Sequence, residues 1–425
     1  MSRSRLVPWL LAPGLALFAF IALGSHRAAA SADPEKATER ALDGAVKDAA
    51  SGVTPTATVA SPSAGAQPVL GPMGYDARLG RYTASYGPGR ASLTLSPRLQ
   101  QGLEKFLADY RVPLGAAVLL EPATGRVLAL AEHAERGAPG HVALSPVAPA
   151  ASVFKIVTSA ALLEKGLTPE QEVCFHGGRH RIQKALLADN PRRDRVCLTL
   201  ASALGKSANV VFAKLAGREL SADLLRAEAG KFLFDAAIPF DLPVEPSPAR
   251  ISDDPFELAT TAAGFGPVRL SPLHGALLAA IVANGGKFVP PRLVDTVEGG
   301  PAPSSAAARP VLRPEVAAAL SRMMQTTTTE GTARKIFRRD RLARRSALRE
   351  VTVAGKTGSL ADPNPYKDYS WFVGFAPVED PQVAVAAVVV NERLWRIKAS
   401  LVAHEALKAY FEADGARVVR TARAR

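Results

Sequence analysis

The strand-like runs of this sequence stand near its two ends, and the helical ones lie between them. Gly115-Ala116-Ala117-Val118-Leu119-Leu120 and Arg126-Val127-Leu128-Ala129-Leu130-Ala131 are apolar runs joined by Glu121-Pro122-Ala123-Thr124-Gly125, whose Pro and Gly mark a tight turn. Three more runs come late: Glu350 to Gly355, Ser370 to Ala376 and Gln382 to Val390. Ser96 is placed to cap a helix over Leu99, Leu103, Phe106 and Leu107, and a last helix is expected over Leu401, Ala406, Leu407 and Tyr410. From about Leu198 to Ala283 the pattern is mainly helical, broken by a Pro-rich loop from Pro239 to Pro255. Two strands early and three late predict one antiparallel five-stranded sheet built from both ends of a single domain. The expected class is α+β, an α/β three-layer arrangement with helices on the sheet.

The amino terminus reads differently. Met1-Ser2-Arg3-Ser4-Arg5 is cationic, and Leu6 to Gly24 carries no charge, just long enough to span hydrocarbon as a helix. The arginines ahead of it place the start in the cytoplasm and the remainder outside. Residues 1–24 are thus a retained transmembrane anchor, with cleavage after Ala28-Ala29-Ala30 as the alternative of a signal sequence. Residues 25–91 read as a linker poor in complexity, with a short helix over Asp33 to Ala50 and a hairpin around Gly87-Pro88-Gly89. That stretch is too short for a second large catalytic domain. The folded body is expected over 92–411, followed by a frayed basic tail over 412–425. A net charge of +13 admits nucleic acid, anionic lipid or an anionic polymer as partner. No zinc finger, glycine-rich phosphate loop or basic-aromatic motif is present, so nucleic acid is set aside.

Chemistry concentrates at Ala150-Ala151-Ser152-Val153-Phe154-Lys155 and the apolar run behind it. Residues three apart share a helix face, so Lys155 stacks on Ser152. A serine hydroxyl is a poor nucleophile until a base takes its proton, and a buried lysine can be tuned to do so near neutral pH. Two further triplets supply what such a serine needs. Ser207-Ala208-Asn209 opens an apolar run, with Ser207 suited to relaying a proton and Asn209 to bonding a peptide-like substrate. Lys356-Thr357-Gly358-Ser359 continues a strand. Lys356 and Thr357 suit a carboxylate, and Gly358 removes a side chain where a substrate backbone would lie along the edge. The Ser359 N–H is placed to join that of Ser152 as an oxyanion hole.

In order and on these elements, the three triplets resemble the Ser-x-x-Lys, Ser-x-Asn and Lys-Thr-Gly set of penicillin-binding proteins and serine β-lactamases. Further stretches are similar to the transpeptidase domain of that family, among them Gly264-Phe265-Gly266, Ala283-Asn284-Gly285-Gly286, Gly331-Thr332-Ala333 and Trp371-Phe372-Val373-Gly374. The resemblance implies an all-helical subdomain beside the sheet and an exported serine acyl-transferase without a glycosyltransferase domain. It implies peptidoglycan stem peptides ending in D-Ala-D-Ala as substrates, covalent binding of β-lactam antibiotics, a membrane surface and cell-wall synthesis proteins as partners, and no cofactor or metal. Carried over, it makes Ser152 the acylated nucleophile, Lys155 its base, Ser207 the proton shuttle and Asn209 a substrate contact. Lys356 and Thr357 would then hold the terminal carboxylate. Position 359 is Ser where a second threonine is commoner.

Within the family the leading expectation is a D,D-transpeptidase, whose acyl-enzyme is resolved by an amine. A carboxypeptidase or endopeptidase uses the same site with water. A serine β-lactamase needs a base for deacylation, and Glu245-Pro246 lies in the right interval but lacks the Leu-Asn that normally follows. A β-lactam sensor would need a larger cytoplasmic portion. Cys174 and Cys197 read as a disulfide in an exported chain, a pairing that also resembles some family members. Unpaired thiols, or zinc held with His176 and His180, are the alternatives. Arg338, Arg339, Arg341, Arg344, Arg345 and Arg349 read as a solvated loop, or as an electrostatic guide for anionic glycan or lipid.

Overall fold

Every residue from Val383 to Asn391 is buried, which a strand achieves only when both faces of its sheet are covered. The computed structural model describes residues 70–300, 307–343 and 346–422, with side chains as far as residue 412. The segments read as anchor and as low-complexity linker up to residue 69 lie outside the described residues. Among the described residues no helix is long and apolar enough to cross a membrane.

The main sheet takes strands β1 (Leu114–Leu120), β2 (Val127–Ala134), β3 (Ala354–Pro363), β4 (Tyr366–Ala376) and β5 (Val383–Asn391). Their spatial order is β3-β4-β5-β1-β2, every pair antiparallel. Both ends of the sequence therefore build one sheet, as expected. Side chains of β5 alternate between two cores. Ala384, Ala386 and Val388 join one cluster with Leu273 and Leu277, while Val383, Val385 and Val389 join another with Leu99, Leu103, Val402 and Leu407.

Helix α1 (Pro97–Asp109) and the late helix that begins at Ala399 cover the second face. Ser96 precedes α1 but makes no side-chain cap; Pro97 opens the helix instead. The remaining helices named here are α2 (Lys155–Glu164), α3 (Leu200–Gly205), α4 (Asn209–Glu219), α5 (Pro272–Ala283), α6 (Arg334–Leu342) and α7 (Ala399–Ala422). Helix α5 is apolar all round and buried from Pro272 to Val282, as a helix between the sheet and other helices must be. Helices α2, α3 and α4, with those over Ala222–Lys231 and Pro255–Ala262, make the helical side of the molecule.

Several expectations need correction. The strand read from Glu350 begins only at Ala354 and runs on to Pro363. The hairpin Arg81–Tyr86/Gly89–Leu93 pairs through Gly89–Leu93 with Val294–Val297, so the boundary drawn at residue 92 cuts through a four-stranded sheet. The segment read as a frayed tail continues α7 as far as Ala422. The arginine run is helical over Arg334–Leu342: Phe337 packs against Phe372, Asp340 is buried against His404, and Arg338 and Arg339 face water.

Candidate active site

Ser152 sits in a single 3₁₀ turn, Ala151–Phe154, that leads directly into α2. Everything from Lys155 to Leu163 is buried, so the turn is pinned by the apolar run behind it. Ala151 takes φ +48°, a left-handed conformation that an alanine adopts only under constraint from its surroundings. Part of that constraint is Gly264. A Cβ there would lie 2.4 Å from Ala151 O, and Gly264 itself has φ +91°. Only glycine lets this loop close on the turn.

The loop brings a backbone acceptor to Lys155. Lys155 Nζ contacts Ser152 Oγ at 2.8 Å, Asn209 Oδ1 at 2.8 Å and Ala263 O at 2.5 Å. Two of these partners can only accept. An ammonium would donate to all three, whereas a neutral amine donates to Asn209 and Ala263 and turns its lone pair to the Ser152 hydroxyl. The side chain is 0% exposed. Burial first, and the nearby charge of Lys356 second, push its pKa well below that of an ordinary lysine. The neutral form is therefore the one that this environment favours.

Asn209 is the first residue of α4. With Oδ1 committed to Lys155, its Nδ2 donates to His180 O at 3.0 Å and keeps one further hydrogen. Ser207, at φ +53°, lies in the turn between α3 and α4. Its partner is Lys356, whose Nζ donates to Ser207 Oγ at 3.0 Å and to Thr357 O at 2.7 Å. Ser207 is thus held by the second of the site's two buried lysines. Burial alone lowers the Lys356 pKa to about 7.

Strand β3 is an edge of the main sheet and presents Thr357, Gly358 and Ser359 to a cleft of about 280 Å³. Ser152, Ser207 and Asn209 line the same cleft. Gly358 lines the cleft and also stands close to the elements behind it. A Cβ there would stand 3.2 Å from Val153 Cγ2 and 3.3 Å from Ala150 O, so its bareness lets β3 approach the Ser152 turn. Several other groups at the site had no role in the sequence reading: the Ala263 carbonyl, Phe265, Lys398 and Ser400, with Thr332 held to Thr357 through their hydroxyls at 2.5 Å; His180, weighed there only as a zinc ligand, lines the cleft as well. Backbone carbonyls leave no trace in sequence. Gly264-Phe265-Gly266 and Gly331-Thr332-Ala333 did carry a signal, as stretches of resemblance without a stated task.

Cys174 and Cys197 stand opposite each other on the short strands Glu172–Phe175 and Val196–Thr199 and form a disulfide. Both sulfurs are thereby taken out of any zinc set. His176 bonds Asp194 instead, and Asp194 also receives the buried Lys214 of α4. The segment between the cysteines carries His180, whose ring accepts from Arg179 Nε. Burial, then the Arg179 charge, lowers its pKa.

The sequence from residue 115 to 412 matches the family model of the penicillin binding protein transpeptidase domain. A relative named peptidoglycan D,D-transpeptidase PbpA, from Mycobacterium tuberculosis H37Rv, is 29% identical, over 75% of this chain and 72% of its own length. The crystal structure of PBPA from Mycobacterium tuberculosis superposes with a TM-score of 0.59 at 27% identity, covering 76% of this chain and 81% of that one. Its imipenem acyl-enzyme complex gives the same score and identity, over 76% and 80%. A helix-borne serine on a buried lysine, a second serine–lysine pair and an open sheet edge occupy one cleft inside the matched region, and on that footing the chain belongs to the penicillin-binding protein transpeptidase family.

Proposed function

We propose that this chain is a peptidoglycan D,D-transpeptidase that forms an acyl-enzyme on Ser152 with stem peptides ending in D-Ala-D-Ala and passes the acyl group to an amine. The contact between Lys155 and Ser152 carries the reading, because two fixed acceptors leave the lysine lone pair only the serine hydroxyl to meet. Neutral Lys155 takes the hydroxyl proton as Ser152 Oγ bonds to the penultimate D-Ala carbonyl carbon. The carbonyl oxygen becomes an oxyanion and is met by the N–H groups of Ser152 and Ser359. Thr357 and the Lys356 ammonium receive the terminal carboxylate along the β3 edge. Ser207, held by Lys356, relays to the departing D-Ala amine the proton that Lys155 took, the C–N bond breaks, an ester remains on Ser152 and Lys155 is neutral again. An incoming amine then attacks that ester and gives its proton to the neutral Lys155, which passes it to Ser152 Oγ as the acyl C–O bond breaks and the crosslinked peptide leaves.

The same site acylates with a β-lactam ring, whose amide presents a like carbonyl. PBPA, the neighbour reported above, has been solved as an imipenem acyl-enzyme. Glu245, the base a β-lactamase would require, accepts from Ser145 at 2.8 Å. It is not among the described residues that line the cleft. The uncharged run Leu6–Gly24 supports a single-pass anchor in the inner membrane with the catalytic domain in the periplasm. Product analysis with a pentapeptide, with and without an amine acceptor, tests the reading: a crosslinked product supports it, and hydrolysis alone with amine present makes this a carboxypeptidase.

A further inference from the structure

Ser370 lies directly across β3–β4 from Ser359, and its Oγ accepts from the Ala399 N–H at 3.0 Å. That bond fixes the start of α7 beside the edge strand and sets Lys398 and Ser400 in the wall of the cleft. Ser400 is 5% exposed, and its hydroxyl has no hydrogen-bond partner among the described residues. Lys398 is exposed, and its ammonium makes no hydrogen bond or ion pair among them; Asp368 acts on it only through its field. No acidic side chain is among the described residues lining the cleft.

Two lysines thus flank the edge strand's cleft, Lys356 wholly buried and Lys398 exposed in the cleft wall. Lys356 precedes the oxyanion position at Ser359, and Lys398 lies beyond it. With the scissile carbonyl at Ser359 and the C-terminal carboxylate toward Lys356, the donor peptide on the N-terminal side of the scissile bond must pass Lys398. We propose that Lys398 and Ser400 form an anion subsite that takes a second free carboxylate of the acyl donor, one borne N-terminal to the D-Ala-D-Ala unit. The inference rests on the proposed reaction and deepens it by naming a determinant of substrate choice. An ammonium and a hydroxyl suit a single carboxylate, the hydroxyl donating to one oxygen while the ammonium holds the other.

The test compares two synthetic pentapeptide donors on the full chain, identical except that the upstream carboxylate is free in one and amidated in the other. The readout is the ratio of their kcat/KM values for acylation. In the unmodified protein the free acid should be favoured by roughly tenfold, as for a charge-assisted hydrogen bond. Lys398→Gln should bring the ratio to about one, Ser400→Ala should lower it in part, and added salt should shrink the lysine's share. A ratio near one in the unmodified protein, or a ratio untouched by Lys398→Gln, overturns the inference. Fluorescent penicillin labelling is read on the same samples. A protein that labels at Ser152 yet treats both donors alike sinks the subsite alone, whereas one that never labels sinks the reaction beneath it.

Discussion

Lys155 Nζ stands 2.8 Å from Ser152 Oγ in a side chain that is wholly buried, and a second buried lysine, Lys356, bonds Ser207 across the same cleft. Two ammonium ions cannot share so small a space cheaply. The charge of Lys356 is one reason the Lys155 pKa falls, so the carboxylate-binding lysine also helps to keep the base neutral.

Replacing the base tests its part directly. Lys155→Ala should slow acylation by labelled penicillin at least roughly a hundredfold, as for loss of a general base. A melting curve run alongside separates lost chemistry from lost fold. Near-normal acylation would remove Lys155 from the role given to it.

Acylation should also depend on pH with two limbs. The neutral fraction of Lys155 grows as pH rises through its lowered pKa, so the rate climbs from the acid side. The Lys356 cation is lost as pH rises through about 7, so kcat/KM for a carboxylate-bearing β-lactam should fall on the basic side. A methyl ester of the same compound lacks the carboxylate and should show a much weaker basic limb. Identical profiles for acid and ester would separate Lys356 from the carboxylate.

Gly264→Ala should be severe although it touches no substrate. The new Cβ meets Ala151 O at 2.4 Å in a backbone with φ +91°. Relief requires moving the Ser152 turn or the Ala263 carbonyl. We expect at least a tenfold slower acylation and a stability loss of about 1–3 kcal/mol, the range for strained backbone. Stopped-flow labelling and thermal unfolding together check both.

Loss of the disulfide should be felt in stability and at the site. Its loop closure stabilises by roughly 3 kcal/mol in the chain-entropy description. The enclosed segment carries His180, whose carbonyl holds Asn209 at 3.0 Å. Cys174→Ser with Cys197→Ser should therefore lower the denaturation midpoint and slow acylation several-fold. An unchanged midpoint would show that the crosslink constrains nothing.

What the sequence made legible follows from how each feature is encoded. Continuous apolar runs such as Val383 to Val390 announce strands buried on both faces, and Ser152, Asn209 and Lys356 stand in short spacings tied to helix starts and a strand. Pairings across the fold are not written that way. Nothing local to Ser207 says that its partner is Lys356 rather than Lys155, since that choice depends on how β3 meets the turn before α4. The closeness of Gly358 to Val153 and Ala150, which lie far away in the chain, is likewise invisible in the local sequence. The arginine run looked like loop because its charge hides the buried side of α6, where Phe337 and Asp340 face inward.

The most direct measurement is the location of the covalent adduct. The full chain, treated with penicillin, digested and read by mass spectrometry, should carry one penicilloyl group on the peptide containing Ser152, and Ser152→Ala should carry none. An adduct on another residue, or one that survives in the Ser152→Ala protein, would contradict the convergence of Ser152, Lys155, Ser207, Asn209 and Lys356 on a single acylating centre.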